Sequence, residues 1–186
     1  MVILAISDKS AKSSILSLIE KYQVNLVCTL GDLSHFSLKE LKKVTNIPKI
    51  GVYGNHCSGK YFDSLGIYNL HLKIFEHNGI KFGGFEGSIR YKESAYAKMY
   101  TQDEAKEKLK DFPVVDIFLA HSPPYGINDE PNSSSHQGFI ALKEYVKKKK
   151  PKYFLHGHTY PTKENIVERY GDTNIVYVYE DKIIEV

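Results

Sequence analysis

Apolar residues in this chain fall into short continuous runs, separated by stretches in which they recur every three or four positions. Residues 2–6 (VILAI) form a run of a length that suits a buried strand, after which Ile15, Leu18, Ile19 and Tyr22 lie on one face of a helix. Residues 25–30 (NLVCTL) predict a second strand, Leu38, Leu41 and Val44 a short helix, and residues 48–53 (PKIGVY) a third strand. This alternation is the βαβαβ pattern of an α/β fold, in which parallel strands are joined by right-handed crossovers. The middle of the chain differs. Residues 68–85 alternate in polarity on both sides of Asn78-Gly79, a pair that favours a type I′ hairpin. A charged helix near 101–110, a strand at 114–120, a helix carrying Phe139, Leu142 and Val146, and a strand at 152–156 follow. The tail, 164–186, alternates like an antiparallel meander, with turns expected at Gly171-Asp172 and Glu180-Asp181. With no repeat, linker or composition shift, one domain over 1–186 with a mixed, double-sheet core is the expectation.

Composition narrows the class without naming a partner. The 186 residues are 42% hydrophobic and 25% charged, with a net charge of +3, as in an ordinary soluble protein. Two cysteines, Cys28 and Cys57, make no disulfide framework, so a cytoplasmic protein is expected. The first apolar run meets Asp8 and Lys9 at once, and no run approaches the ~20 residues of a membrane span, so no membrane partner is expected.

Polar residues stand at the ends of the predicted strands. SDKS (7–10), GDLSH (31–35), GNHC (54–57), AHSPP (120–124) and HGHTY (156–160) each follow an apolar run. In α/β sheets the carboxyl ends of strands border a shared crevice, so Asp8, Asp32, Asn55, His121 and His158 should meet in space. Carboxylate, amide oxygen and imidazole without thiolate suit Mn, Fe, Zn or Mg. One carboxylate such as Asp32 can bridge two ions ~3.5–4 Å apart, and a bound ion lowers the pKa of water toward ~7, as attack on phosphorus requires. No glycine-rich P-loop or dinucleotide loop occurs.

In this order and spacing the motifs resemble those of the calcineurin-like metallophosphoesterases, D-x-H, G-D, G-N-H-[D/E], a lone H, and G-H-x-H, from Asp8 to Tyr160. The stretch HSPPYGIND, then HQG, then PKYFLHGHTY is most similar to the small branch named after its metallophosphoesterase domain and described in brain and microbes. The resemblance implies two mixed β-sheets packed as a sandwich flanked by helices. It implies one or two divalent ions, Mn²⁺ foremost with Fe, Zn or Mg as alternatives. One site would use Asp32, Asn55, His121 and His158. The other would use Asp8 and the shared Asp32, but Ser10 and Tyr160 stand where the family carries histidines. His56 matches the leaving-group acid, with Cys57 in place of the acidic residue that usually follows it.

His35, three residues after Asp32, would reach the same side if GDLSH opened a helical turn, as a tyrosine does in the purple acid phosphatases; a surface histidine at a helix start is the competing reading. Tyr160, whose phenol loses its proton only near pH ~10, is expected to hydrogen-bond a carboxylate, water or substrate, or to pack, rather than to ligate. Arg90 offers a planar fork for phosphate or is a plain loop arginine. His156 faces away from Leu155 and is expected in the core or behind the ligands, and His136 and Asp129 lie in a loop at the mouth. The lysines of VKKKKPK (146–152) precede Pro151 at a helix end, where the macrodipole favours them, so nucleic acid is not the expected partner. The expected activity is hydrolysis of small phosphodiesters or nucleotides. The rival is a nucleotide-binding or scaffold protein that keeps the fold without turnover, and a nuclease is a third reading. A homo-oligomer is compatible with the sequence.

Overall fold

A computed structural model describes residues 1–57 and 60–186. Its first half runs β1 (Val2–Ser7), α1 (Ile15–Tyr22), β2 (Leu26–Thr29), a 3-10 turn (Lys39–Lys43), β3 (Lys49–Gly51), the short α2 (Phe62–Leu65) and β4 (Tyr68–Asn69). The hairpin β5 (Ile74–His77) and β6 (Ile80–Phe85) follows, then the two-residue pair β7 (Ser88–Ile89) and β8 (Met99–Tyr100), and α3 (Gln102–Leu109). The last part holds β9 (Ile117–Ala120), α4 (Ile140–Lys149), β10 (Tyr153–His156), β11 (Arg169–Tyr170), β12 (Thr173–Tyr177) and β13 (Glu180–Glu185). One sheet has the order β13-β1-β2-β3-β4 and the other β11-β12-β10-β9-β6-β5. Both are mixed, as expected.

The period-2 alternation of the strands sorts their side chains into layers. Ile3, Ala5, Leu26, Cys28, Ile50, Phe82, Ile117, Leu119 and Leu155 fill one buried layer, which draws on both sheets. Leu4, Ile6 and Val27 point the other way, toward Ile15 and Leu18 of α1 and Phe62 of α2. Phe118 and Phe154 likewise meet Leu109 of α3 and Leu142 and Val146 of α4. Two sheets face each other and each carries helices on its outer face. Among the described residues no helix is long and apolar enough to cross a membrane.

Local chemistry explains most element ends. Asn78 and Gly79, at φ 50° and 75°, form the expected tight turn between β5 and β6. Thr101 and Glu104 close a capping box at the start of α3. Lys150, at φ 49°, ends α4 just before Pro151, which leaves the lysine run on a solvated terminus.

Three expectations need correction. The tail is not a meander: β11 and β12 form a hairpin at Gly171-Asp172, but β12 runs parallel to β10, and the chain then crosses to the other sheet, where β13 pairs antiparallel with β1. The turn placed at Glu180-Asp181 lies at Val178-Tyr179, and Glu180 already belongs to β13. Alternation sets which faces are buried but not which sheet a strand joins. The short helix expected around Leu38, Leu41 and Val44 does form, as the 3-10 stretch Lys39–Lys43 flanked by Leu38 and Val44, with Leu41 buried. The strand expected from residue 114 begins at Ile117, because Val114 is exposed.

Leu119→Ala, in the layer between the sheets, is expected to cost ~2–5 kcal/mol, whereas Val114→Ala should stay within about 0.5 kcal/mol. Urea denaturation midpoints of the two variants measure the difference.

Candidate metal centre

The polar motifs arrive at one rim of the sandwich from both sheets. Asp8 follows β1, Asp32 lies beyond β2, and Asn55 and His56 lie beyond β3, while His121 follows β9 and His158 lies beyond β10. Asp8, Asp32 and His158 hold φ values of 64°, 53° and 69°. Non-glycine residues are uncommon in this left-handed region, and such conformations persist where surrounding structure enforces them. Here the enforcing contacts are those between the motif loops themselves.

Glycine precedes three of these residues for a steric reason. A Cβ on Gly54 would lie 2.1 Å from Asp32 Oδ1, and one on Gly157 would lie 2.3 Å from Asp8 Oδ2. A Cβ on Gly31 would lie 2.6 Å from His121 Nδ1. Each glycine opens the space into which a polar side chain of another motif reaches.

His121 is fully buried. Its Nδ1 donates to the Leu30 carbonyl at 2.7 Å, so Nε2 is the nitrogen that faces Asn55 Oδ1 at 3.1 Å and Asp32 Oδ2 at 3.4 Å. His158 repeats the arrangement with its nitrogens exchanged. Its Nε2 donates to the Ser135 carbonyl at 2.8 Å, which leaves Nδ1 with the lone pair. A backbone carbonyl behind each ring fixes its tautomer, as is usual for metal-ligating histidine. Asp32 Oδ1 accepts from the His56 backbone N–H at 2.8 Å. Ligand atoms of Asp32, His121 and His158 all lie within 4.8 Å of one another.

When His121 is neutral, its Nε2, the Asp32 carboxylate and the Asn55 oxygen are all acceptors turned on one another. Only a proton or a cation reconciles them, and the donor set fits a hard or borderline divalent ion. Without the ion the proton takes that place. Burial pushes the His121 pKa down, but the Asp32 carboxylate and then Asp8 outweigh it and hold the value up at about 9. Burial would raise Asp32, yet His121 and the His56 N–H bring it to about 2. His158, pushed down by burial and by His121 to about 3, stays neutral. Asp8 behaves differently from Asp32. Its carboxylate accepts from Ser7 Oγ at 2.6 Å and from the His158 N–H at 3.1 Å, and burial nonetheless raises its pKa.

The other residues singled out in the sequence divide clearly. His56 is exposed on the turn after Asn55. Tyr160 is 58% exposed and sits edge-on to His136 and Tyr179, and burial followed by the Asp8 charge raises its pKa, which keeps the phenol protonated. The helical turn expected to align Asp32 and His35 does not form: Asp32 is left-handed, the turn starts only at His35, and that ring is exposed and edge-on to Tyr61 at 6.3 Å. Arg90 is engaged with both oxygens of Glu104, at 2.8 and 3.0 Å, at the start of α3. His156 is buried on the helix side of β10, and its Nε2 accepts from Asn128 at 3.1 Å. Cys57 points inward, buried beside Tyr61, rather than flanking His56 in solvent.

Sequence reasoning passed over Asn128. This left-handed residue accepts from the Val167 N–H and the Thr159 hydroxyl and donates to His156, so it fixes the HGHT loop from behind. Its signal was only a polar residue among many in GINDEP.

A family model described as calcineurin-like phosphoesterase matches residues 1–161. The chain belongs to this family. As a calcineurin-like phosphoesterase it is, in general terms, a metal-dependent hydrolase of phosphate esters. Solved structures agree on the fold. A protein called TT1561 of Thermus thermophilus is 17% identical with a TM-score of 0.64, over 96% of this chain and 89% of that one. A novel phosphatase from Mycoplasma pneumoniae is 14% identical with a TM-score of 0.55, over 96% and 72% of the two chains. The calcineurin-like phosphoesterase YfkN from Bacillus subtilis is 14% identical with a TM-score of 0.52, over 100% and 85%. No protein with a curated description matches the chain.

Because His121 holds a proton up to pH about 9, an ion entering beside this phosphoesterase's Asp32 must displace it. Binding at neutral pH should release about one proton per ion, and affinity should rise with pH toward that value. Calorimetry in buffers of different ionisation enthalpy measures the release. Gly54→Ala should weaken Mn²⁺ binding at least ~10-fold by displacing Asp32, on the scale of other disturbances behind metal ligands.

Proposed function

We propose that the protein hydrolyses small phosphodiesters or nucleotides with Mn²⁺ as its working ion, Fe, Zn or Mg being the alternatives. The observation that carries this reading is the convergence of Asp32, Asn55 and His121 lone pairs from two sheets on one point. In the reading, Asp32, Asn55, His121 and His158 hold the ion. Such an ion supplies Lewis acidity and lowers the pKa of a coordinated water from ~15.7 toward ~7. The Asn55 amide helps to neutralise the charge that develops on the phosphate. His56, anchored through its backbone to Asp32 and exposed at its ring, gives a proton to the leaving oxygen. Tyr160, protonated and at the mouth, hydrogen-bonds the substrate. Two buried free cysteines fit a cytoplasmic protein.

His56→Asn should lower kcat for an alkyl phosphodiester ~10²–10⁴-fold, and much less for an aryl diester whose leaving group needs no proton, with Mn²⁺ content unchanged. Equal, small losses on both substrates would remove His56 from the acid role. Nucleotide binding by the Mn²⁺-loaded wild type without turnover of any diester would favour the binding protein.

A further inference from the structure

We infer that Tyr160 and Tyr179, with Lys9, form a subsite at the rim beside Asp8 that receives the planar base of a nucleotide, so that nucleoside esters are the preferred class among small phosphate esters. The inference deepens the phosphoesterase reading above and rests on it for the position of the phosphate.

The fold places Tyr179 at the rim of the centre. The chain crosses there from β12 to β13, with the Val178 N–H on the His156 carbonyl at 2.8 Å and Glu180 paired with Ser7. Tyr179 therefore sits between the ends of β10 and β1, the two strands that lead into His158 and Asp8. Tyr160, two residues after His158, meets it edge-on with the ring centres 5.7 Å apart. Burial and then the Asp8 charge raise the Tyr160 pKa, as befits a phenol beside that carboxylate. Lys9, which follows Asp8 in the chain, holds its ammonium 5.2 Å from the centre of the Tyr179 ring, a cation–π contact that steadies the pair.

These contacts fix the wall and leave one ring open. Tyr160 is largely exposed, and the rings of His136 and Tyr179 stand at 84° and 79° to it, so neither lies flat against it. A buttressed, unstacked phenol ring is a platform for a planar group, and a nucleobase supplies one. Every base has a π face, so the platform selects the nucleoside over other alcohols without choosing among bases. Lys9 is exposed, and Glu180 on the neighbouring strand is engaged by Lys12 at 3.1 Å, so the Lys9 charge also draws an anionic substrate to this side of the mouth.

The test compares adenosine monophosphate with ribose phosphate, which lacks the base, by calorimetry on Mn²⁺-loaded wild type, Tyr160→Ala, Tyr160→Phe and Tyr179→Ala, with turnover of the methyl phosphodiester of adenosine followed on the same samples. The wild type should prefer the nucleotide about 5- to 150-fold, the range that stacking of one base supplies. Tyr160→Ala should lose the preference with its Mn²⁺ content unchanged, which reports a folded centre. Tyr160→Phe should keep it, because the ring carries the preference and a hydrogen bond from the hydroxyl would serve both ligands alike. Tyr179→Ala, which removes the buttress, should weaken it. Equal affinity for the two ligands in the wild type, or a preference that survives Tyr160→Ala, would overturn the inference, and turnover of the diester would then leave the phosphoesterase reading standing. An intact preference without turnover of any diester would remove that reading and keep the subsite.

Discussion

The hydrogen bond from His121 Nδ1 to the Leu30 carbonyl, 2.7 Å long and wholly buried, joins the end of β9 in one sheet to the end of β2 in the other. Much of the centre follows from it. The bond settles which nitrogen keeps a lone pair, and it turns that lone pair toward Asp32 and Asn55, whose strands belong to the opposite sheet. The His158 N–H on the Asp8 carboxylate makes a second tie of the same kind between β10 and β1. Side chains separated by as many as 150 positions thereby acquire a common geometry. A centre built across a sheet interface inherits the rigidity of the packed layer beneath it.

Rigidity has local costs that the sequence bears openly. Three residues of the rim sit in left-handed backbone, a conformation that costs of order 1–3 kcal/mol for a side-chain-bearing residue. The neighbouring glycines remove the Cβ atoms that would forbid the loops from touching. Asn128 adds a polar brace from the helix side, satisfying His156, Val167 and Thr159 at once. Strain and close approach are tolerated because each loop holds another in place.

Much of this was readable from residue order. Alternating apolar runs gave the parallel strands, and the polar residue after each run gave Asp32, Asn55, His121 and His158, because a strand end is a local feature that chemistry marks. The sheet joined by β13 was not readable, since its alternation satisfies either sheet and only long-range packing decides. His35 misled for a related reason. Its spacing from Asp32 implies proximity only on a helix, and a left-handed aspartate cannot begin one. Arg90 was ambiguous because its partner Glu104 opens the following helix, and nothing near Arg90 in the chain announces the pair. Asn128 was hidden because a brace of backbone groups has no motif.

The division of ligands between two sheets also bears on how the protein loses its structure. An ion held as proposed, by Asp32 and Asn55 beyond strands of one sheet and His121 and His158 beyond strands of the other, would tie the two sheets, so that neither could open alone without surrendering it. Binding free energy that accrues only to the closed sandwich adds to the stability of the whole. It would also make partial openings of either half rarer. Metal loading would then couple the two halves into one cooperative unit, with slow amide exchange in β2 and β9 extending together rather than separately.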